Sequence, residues 1–273
     1  MREVISVITC VYNGEKTIED TIQSVLKQDF KDFEYIIVDG KSKDDTLKIV
    51  NKYSQKDPRI KLISESDTGI YDAYNKGVHH AKGDILIYVN ADDFLFQGAL
   101  EGIHEEFNLK KYDIYAGSIS ILSEDTNYYK ENFRSKIPKH SLTNPSVLTP
   151  GICFSKEVFK KVGKFDTSFR ICADFDLICR CLNQGLKIKY SDVLLNNMRE
   201  GGISSNIKFE HVKKIEQIKV SLKNDGKNIV FWMKVLKKYV FTLLFHFFFK
   251  DELKKRRKYV QDKYSEKQIF WFR

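Results

Sequence analysis

Two adjacent carboxylates, Asp92 and Asp93, stand at the end of an apolar run in the stretch YVNADDFLF, residues 88–96. Carboxylates on neighbouring residues repel each other, so a cation, a hydrogen-bond donor or bulk water has to offset the repulsion. The chain has a formal net charge of +9, yet it places this acidic pair where the run ILIYV is expected to leave a buried strand. The pattern indicates a binding site for a ligand that interacts favourably with negative charge.

A second pair of acids lies in ICADFDLICRCLNQG, residues 171–185. Apolar residues at helical spacing predict a helix that begins near Asp174 and ends at Gly185. Asp174 and Asp176 then lie in its first turn. Acids in that position complement the helix dipole, and this purely structural role is one of two interpretations that remain open at this point.

The elements that must position these acids follow a regular alternation over the first hundred residues. Apolar runs predict strands at residues 4–9, 33–39, 59–64 and 84–89. The intervening segments TIEDTIQSVLKQ, DDTLKIVNKYSQ and IYDAYNKGVHHAK predict helices, and Thr17 with Asp20 fits a capping box at the start of the first. Such alternation predicts an α/β fold with parallel strands, right-handed crossovers and helices on both faces.

Ligands bind outside the carboxyl ends of parallel strands, where this sequence places polar groups. Thr9 ends the first predicted strand, Asp39 ends the second, and Asn90 with the acidic pair follows the fourth. The sequence contains neither G-x-G-x-x-G nor G-x-x-x-x-G-K-[ST], which excludes a dinucleotide-binding Rossmann site and a P-loop. The diphosphate of a bound nucleotide would need another counter-charge, and Mg²⁺ or Mn²⁺ held by carboxylates fits that need.

Composition sets the class of protein. With 273 residues, 42% hydrophobic and 30% charged, the chain suits one α/β domain with an appendage. The five cysteines show no C-x-x-C spacing, so we interpret them as reduced packing thiols of a cytoplasmic protein. The opening MREVISVITCVYNGE lacks the features of a secretory signal.

The C-terminal segment differs in kind from the rest. The run YVFTLLFHFFF, residues 239–249, is too short to span a bilayer and is bracketed by lysines. This composition favours a segment lying at the inner face of the cell membrane. A helix packed on the main domain, a contact between two copies in a homo-oligomer and a nucleic-acid-binding surface are the alternatives.

The order of these motifs resembles the inverting glycosyltransferases of family 2, which have the GT-A fold. The stretch from SVITCVYNGE through VDGKSKDDT to YVNADD is similar to the nucleotide-binding half of that family, and GKFDTSFRICADFDLICR with GGIS is similar to the acceptor half. The resemblance implies a Rossmann-like, mostly parallel sheet. Residues 1–100 would form the nucleotide-sugar-binding half, 101–206 the acceptor-binding half of the same domain, and 207–273 a basic, aromatic helical appendage.

The resemblance also implies roles for individual residues at the nucleotide site. Asp39 would accept a hydrogen bond from N3–H of uracil, and Asn90-Ala91-Asp92 occupies the place of the DXD motif. Asp92 would ligate the metal that bridges the diphosphate, Asn90 would contact the ribose, and Asp93 would support Asp92 or bond to the sugar. The other residues implied to line or underlie the pocket are Thr9, Tyr12, Asn13, Asn75 and Gly77.

In this family an acidic pair supplies the catalytic base, and ADFD occupies its place, with Asp174 at the position of the base. An inverting transfer needs one carboxylate to remove the proton of the attacking hydroxyl. Asp176 is the alternative base. The segment GGISS, residues 201–205, would form a loop over the donor or a plain turn, and His211 would reach the metal or be a solvated helix residue.

Taken together, the sequence predicts a metal-dependent, inverting glycosyltransferase that uses a UDP-sugar. The predicted acceptor is a saccharide, with a polyprenyl-diphosphate-linked saccharide of a bacterial surface-polysaccharide or O-antigen pathway as the best fit, and no nucleic acid takes part. Two alternatives are kept. One is a nucleotidyltransferase, although TCVYNGEKT lacks the glycine-rich basic loop expected after its first strand, and the other is a nucleic-acid-binding module that uses the basic C-terminal segment.

Overall fold

Within the residues that the computed structural model describes (5–109, 112–122, 129–134, 149–199, 210–225 and 237), nine strands form one mixed sheet. The strands are β1 (Ile5–Val11), β2 (Phe33–Asp39), β3 (Ile60–Ser64), β4 (Ile85–Tyr88), β5 (Phe94–Leu95), β6 (Ile114–Leu122), β7 (Tyr129–Arg134), β8 (Ile152–Ser155) and β9 (Ile188–Arg199). The helices are α1 (Ile18–Leu26), α2 (Thr46–Ser54), α3 (Ile70–His80), α4 (Ala99–Leu109), α5 (Lys156–Val162), α6 (Ala173–Asn183) and α7 (Glu210–Asp225). The strand order is β3-β2-β1-β4-β8-β6-β9-β5, with β7 paired to β6.

The first half of the sheet has the predicted parallel arrangement. Strand β1 lies between β2 and β4, and β3 follows β2, with every pair parallel. Successive residues of β1 point to opposite faces, so that Ile8 packs in the core formed with α3 while Val7 packs in the core formed with α1. Helices therefore cover both faces, as predicted, and the α/β fold is confirmed.

The second half of the sheet is mixed. Strand β8 runs antiparallel to both of its neighbours, β4 and β6, whereas β6 and β9 are parallel and β5 is antiparallel to β9. The predicted parallel pairing thus holds for the first four strands and for the β6–β9 pair, and the other pairs are antiparallel. The alternation of strand and helix that predicts parallel strands ends near residue 100.

The boundary predicted at residue 100 falls inside α4, and a single sheet continues across it through the β4–β8 pair. The division into a nucleotide half and an acceptor half stays a prediction. The run 239–249 and the segment 201–205 lie outside the described residues, so the roles predicted for them stay predictions.

Helix α1 begins without the predicted capping box. The side chain of Thr17 makes no capping hydrogen bond. The turn is closed by the backbone instead, because the carbonyl of Gly14 accepts hydrogen bonds from the N–H groups of Thr17 at 3.0 Å and Ile18 at 2.9 Å. The capping-box prediction is therefore wrong.

Two further features are the state of the cysteines and the apolar character of the helices. All five cysteines, Cys10, Cys153, Cys172, Cys179 and Cys181, are free and buried, which agrees with their interpretation as packing thiols. In the part of the chain that the structure describes, no helix has both the length and the apolar character needed to cross a bilayer.

Candidate functional site

The loops that follow β1 and β2 are tied together by hydrogen bonds around Asn13. Its N–H donates to Ser42 Oγ at 2.8 Å, and its side-chain Oδ1 accepts from the N–H of Lys43 at 2.9 Å. Asn13 has φ of 52°, in the left-handed region that asparagine tolerates better than most residues. Beside it, Gly14 N–H donates to Thr46 Oγ1 at 2.8 Å. Asn13 thus braces the rim of the predicted nucleotide pocket.

Asp39 ends β2 and is inaccessible to solvent. Its Oδ2 accepts hydrogen bonds from the N–H of Lys41 at 3.0 Å, the N–H of Ser42 at 3.2 Å and Ser64 Oγ at 2.8 Å. The carboxylate therefore organises the turn that follows β2. Its predicted contact with a base stays a prediction, and it would require the surrounding loops to open.

Tyr12, in contrast, is 60% exposed at the end of β1, close to Gly40. An exposed aromatic ring offers a flat apolar face on which a nucleobase can stack. Thr9 lies inside β1, which continues to Val11, two residues beyond the predicted end of the strand. The hydroxyl of Thr9 is buried and hydrogen-bonded to Tyr35 Oη at 3.0 Å, so only backbone groups of Thr9 remain for the predicted pocket role.

The two acids that follow β4, Asp92 and Asp93, have different surroundings. Asp93 is buried, and its carboxylate accepts hydrogen bonds from Asn90 Nδ2 at 2.8 Å and from the N–H of Arg199 at 3.0 Å. Burial, with a further contribution from the charge of Asp92, raises the pKa of Asp93 to about 7. Asp93 therefore connects the turn to the end of β9.

Asp92 is half-buried and makes no hydrogen bond or ion pair with the rest of the described chain. No group of three or more histidine, cysteine or acidic side chains in the described residues could hold a metal ion by itself. A single unpaired carboxylate nevertheless fits a hard cation whose other ligands are phosphate oxygens and water, as is usual for Mg²⁺ with nucleotides. Asp92 therefore meets the requirement for the predicted metal ligand.

Two tyrosines of α3 connect the acidic turn with the second pair of acids. Tyr74 Oη donates to Asn90 Oδ1 at 2.7 Å, and Tyr71 Oη donates to Asp174 Oδ1 at 3.2 Å. The two rings are neighbours on one helix face, with centroids 5.9 Å apart. Burial raises the pKa of both hydroxyls well above the usual value, so they remain protonated donors. Asn90 and Asp174 are consequently brought to the same edge of the sheet.

The two acids of α6 lie in its first turn, as predicted, and have different surroundings. Asp176 is inaccessible, and it pairs with Arg180 Nε at 2.8 Å and Lys223 Nζ at 3.0 Å. Asp174 is half-buried beside Tyr71. The ion pairs occupy Asp176 in joining α6 to α7, so Asp174 is the better placed of the two to meet a substrate.

The other predicted site residues are Asn75, Gly77 and His211. Asn75 binds the backbone of Phe165 through both ends of its amide, at 2.9 and 3.0 Å, which fixes the loop before α6. Gly77 lies directly against β1, where a Cβ would come within 2.5 Å of Ile8 Cγ2. Gly77 therefore allows close packing of α3 on the sheet. His211 is exposed at the start of α7.

Three residues that organise this edge are not predicted from the sequence, namely Tyr71, Tyr74 and Glu216. The tyrosines stand three residues apart in IYDAYN, and that spacing was the available signal that they share one face of α3. Glu216 lies in residues 207–273, for which the sequence predicts only a basic, aromatic helical appendage. No pattern near it in the sequence indicates which backbone it binds.

Comparisons with known proteins identify the family and the fold of the chain. A PGL/p-HBAD biosynthesis glycosyltransferase of Mycobacterium bovis is 28% identical over 217 residues, which are 74% of this chain and 79% of that protein. Glycosyltransferase GlyG of Streptococcus pneumoniae is 30% identical over 131 residues, which are 47% of this chain and 44% of that protein.

Among solved structures, S. aureus TarS 1–349 matches 81% of this chain with a TM-score of 0.62 and 22% identity, and the chain spans 66% of its length. The same protein in complex with UDP-GlcNAc matches with a TM-score of 0.63, 22% identity, and coverage of 81% of this chain and 67% of that one. These likenesses show the GT-A-like fold. The family model described as "Glycosyl transferase family 2" matches residues 6–163, more than half of the chain. The chain therefore belongs to glycosyl transferase family 2.

Proposed function

We propose that this glycosyltransferase moves a sugar from a UDP-sugar to a saccharide hydroxyl with inversion at the anomeric carbon. The observation that supports this best is the tyrosine pair of α3, which connects the turn of Asp92 with Asp174. This connection supports a site in which Asp92 binds a cation and Asp174, at the same edge of the sheet, accepts a proton. An inverting transfer needs these two groups and no covalent intermediate.

Asp174 acts as the general base. It takes the proton of the acceptor hydroxyl as that oxygen bonds to the anomeric carbon, while the bond from that carbon to the diphosphate oxygen breaks and UDP leaves. The hydrogen bonds that Asp174 Oδ1 accepts from Tyr71 Oη at 3.2 Å and from the N–H of Phe175 at 2.8 Å set the orientation of the carboxylate. Orientation of this kind is a large part of what a base contributes.

Asp92 would hold the divalent cation, Mn²⁺ or Mg²⁺, and the cation would supply positive charge that stabilises the departing diphosphate. The turn that carries Asp92 is fixed from several sides. Thr21 Oγ1 donates to the carbonyls of Ala91 at 3.0 Å and Asp93 at 2.8 Å, and Arg199 N–H binds the Asp93 carboxylate. This bracing keeps Asp92 in place without using its own oxygens.

Two observations support a UDP-sugar as the donor, namely the ligands of the similar solved structures and the exposed ring of Tyr12. The solved structures of TarS include complexes with UDP-GlcNAc and with UDP, which supports a uridine nucleotide here. Tyr12 offers a stacking face at the end of β1. Asp39 remains our candidate for the contact with uracil, through a rearrangement of the loops that cover it. Asn13, Asn75 and Asn90 shape the pocket through the contacts described above.

The acceptor is a saccharide, and a lipid-linked one fits best. The basic and aromatic composition of residues 227–273 supports peripheral association with the inner face of the cell membrane. Membership of the family excludes the nucleotidyltransferase alternative. Binding to anionic liposomes that is lost on deletion of residues 239–273 would support the membrane role, and binding that persists would place the anchor elsewhere.

Calorimetric titration of UDP with and without Mn²⁺ tests the donor site. We expect binding that depends on Mn²⁺, and we expect Asp92→Asn to remove that dependence. Asp32→Asn is the matched control, because Asp32 is exposed just ahead of β2, at the opposite edge of the sheet. An unchanged affinity in Asp92→Asn would refute its assignment as metal ligand, and absence of UDP binding by the unaltered protein would refute the donor assignment.

Turnover is measured as release of UDP from UDP-GlcNAc and other UDP-sugars, with a lipid extract of bacterial membranes as acceptor. We expect Asp174→Asn to reduce turnover by about 10²–10⁴-fold while UDP binding in Mn²⁺ is retained. Turnover equal to that of the unaltered protein would show that another group is the base.

A further inference from the structure

Glu216 is a buried carboxylate that binds three successive backbone N–H groups. It lies on α7 and is 7% exposed. Its Oε1 accepts from the N–H of Arg170 at 2.7 Å, and its Oε2 accepts from the N–H groups of Ile171 at 2.8 Å and Cys172 at 3.0 Å. Burying a carboxylate is costly unless hydrogen bonds compensate, so this arrangement holds the backbone of residues 170–172 firmly.

Residues 170–172 lead directly into α6. Cys172 is the N-cap residue of that helix, and its side chain makes no capping hydrogen bond. Glu216 instead anchors the backbone just ahead of the helix, because it accepts from the N–H of the N-cap residue and of the two residues before it. Asp174 follows two residues later, in the first turn of α6.

The same turn is also held by α3. The single hydroxyl proton of Tyr71 is shared between the carbonyl of Ile171 at 2.6 Å and Asp174 Oδ1 at 3.2 Å. A further contact joins Cys172 Sγ to the carbonyl of Lys213 on α7, at 3.6 Å. The backbone that leads to Asp174 is therefore held by hydrogen bonds from two helices, α3 and α7.

We propose that Glu216 is a positioning residue for catalysis, which fixes the 170–172 turn and through it the place of the Asp174 carboxylate. The proposal rests on the proposed role of Asp174 as general base. Glu216 itself need not touch a substrate, because its bonds go to backbone. It extends the catalytic machinery into α7, which lies beyond the residues matched by the family model.

Glu216→Gln tests the proposal with little change in side-chain volume. Gln offers one carbonyl oxygen where Glu offers two carboxylate oxygens, and its NH₂ group would face a backbone N–H, so at least one donor of the turn loses its acceptor. We expect kcat for UDP release to fall by roughly 10–100-fold, since a displacement near 1 Å can cost about 10²-fold. KM for the UDP-sugar and the affinity for UDP with Mn²⁺ should change less than about twofold, because a group that acts on the chemical step alone leaves donor binding intact.

Lys223→Gln is the control on the same helix. Lys223 joins α7 to Asp166 at 2.8 Å and to Asp176 at 3.0 Å, and its Nζ lies 5.4 Å from the ring centroid of Phe169. Among the described residues it makes no hydrogen bond to the backbone of the 170–172 turn. It should lower the unfolding midpoint and leave kcat near that of the unaltered protein. Glu216→Asp keeps the charge and both oxygens on a shorter chain, so its kcat should lie between those of Glu216→Gln and the unaltered protein. If Glu216→Gln does not fold, Glu216→Asp is the variant used to test the proposal.

The outcomes separate this proposal from the one on which it rests. A kcat in the Glu216 variants within twofold of the unaltered value, or a loss no larger than that of Lys223→Gln, would overturn the positioning role while a low kcat in Asp174→Asn still supports the base. Normal turnover in Asp174→Asn would overturn the proposed function itself.

Discussion

The two acids in the first turn of α6 give the sharpest test of the proposed chemistry, because they are two residues apart and have different surroundings. Replacing Asp176 by Asn should reduce stability, whereas replacing Asp174 by Asn should reduce turnover. Asp176 is fully buried and neutralises Arg180, which is 20% exposed, together with Lys223, which is 42% exposed. The amide of Asn would leave both cations without their buried partner.

The size of the loss follows from these contacts. Removing one partner of a buried ion pair costs about 3–5 kcal/mol. Lys223 is partly solvated and keeps its pair with Asp166 at 2.8 Å, so most of the loss comes from Arg180. We therefore expect the free energy of unfolding to fall by about 3 kcal/mol, which lowers the unfolding midpoint by roughly 6–12 °C in a chain of this size.

Asp174→Asn should behave in the opposite way. Asn retains an oxygen that can accept from Tyr71 and from the N–H of Phe175, so the cost in stability should stay below about 1 kcal/mol. Loss of the carboxylate should lower kcat by about 10²–10⁴-fold. Thermal unfolding followed by calorimetry, and UDP release measured at a temperature where both variants are folded, give the two quantities.

The reasoning would be refuted by the reverse pattern. If Asp176→Asn lost turnover per folded molecule by more than tenfold while its unfolding midpoint stayed unchanged, Asp176 would be the base. If both variants lost stability to the same extent and neither lost kcat, neither acid would take part in the chemistry.

Two further variants test how α3 holds the site. Tyr74→Phe removes the hydroxyl that donates to Asn90 at 2.7 Å, so the affinity for UDP in Mn²⁺ should fall roughly fivefold by calorimetry, while Tyr53→Phe, whose hydroxyl lies on α2, should leave it unchanged. Equal affinities in the two variants would contradict the role of Tyr74. Gly77→Ala should gain about 1 kcal/mol from helix propensity and lose about 1–3 kcal/mol by overpacking, because its Cβ would meet Ile8 Cγ2 at 2.5 Å. The unfolding midpoint should therefore fall, and a rise would show that α3 can shift away from the sheet at little cost.

Much of the structure of residues 1–100 could be predicted, because its strands and helices depend on local sequence patterns. Strand β2 was predicted at 33–39 and is Phe33–Asp39, since the run FEYIIVD is buried on both faces and is bounded by polar turns. Strand β1 was predicted to end at Thr9 and in fact ends at Val11. A polar residue looked like a strand end, but its hydroxyl is bonded to Tyr35 inside the sheet.

The partners that organise the site could not be predicted in the same way. The bond between Tyr71 and Asp174 joins residues 103 apart in the chain, and that between Glu216 and Cys172 joins residues 44 apart. Hydropathy periodicity assigns a residue to the face of an element, and it carries no information about which distant backbone that face will meet. The ranking of Asp176 below Asp174 as the base stays a prediction, and the two cations from α6 and α7 that pair with Asp176 appear only in three dimensions.

The structure also explains how a basic chain accommodates the acid pair that follows β4. Asp93 is removed from solvent and bonded to Asn90 and to the backbone of Arg199, and its raised pKa of about 7 reflects that burial together with the charge of Asp92. Asp92 remains half-buried with no partner in the described chain. The repulsion between them is thus met by hydrogen bonds on one side and, in the proposed function, by a cation on the other. In the proposed function, a pair of acids that is adjacent in sequence therefore serves two tasks, because Asp93 anchors the turn and leaves Asp92 for the ligand.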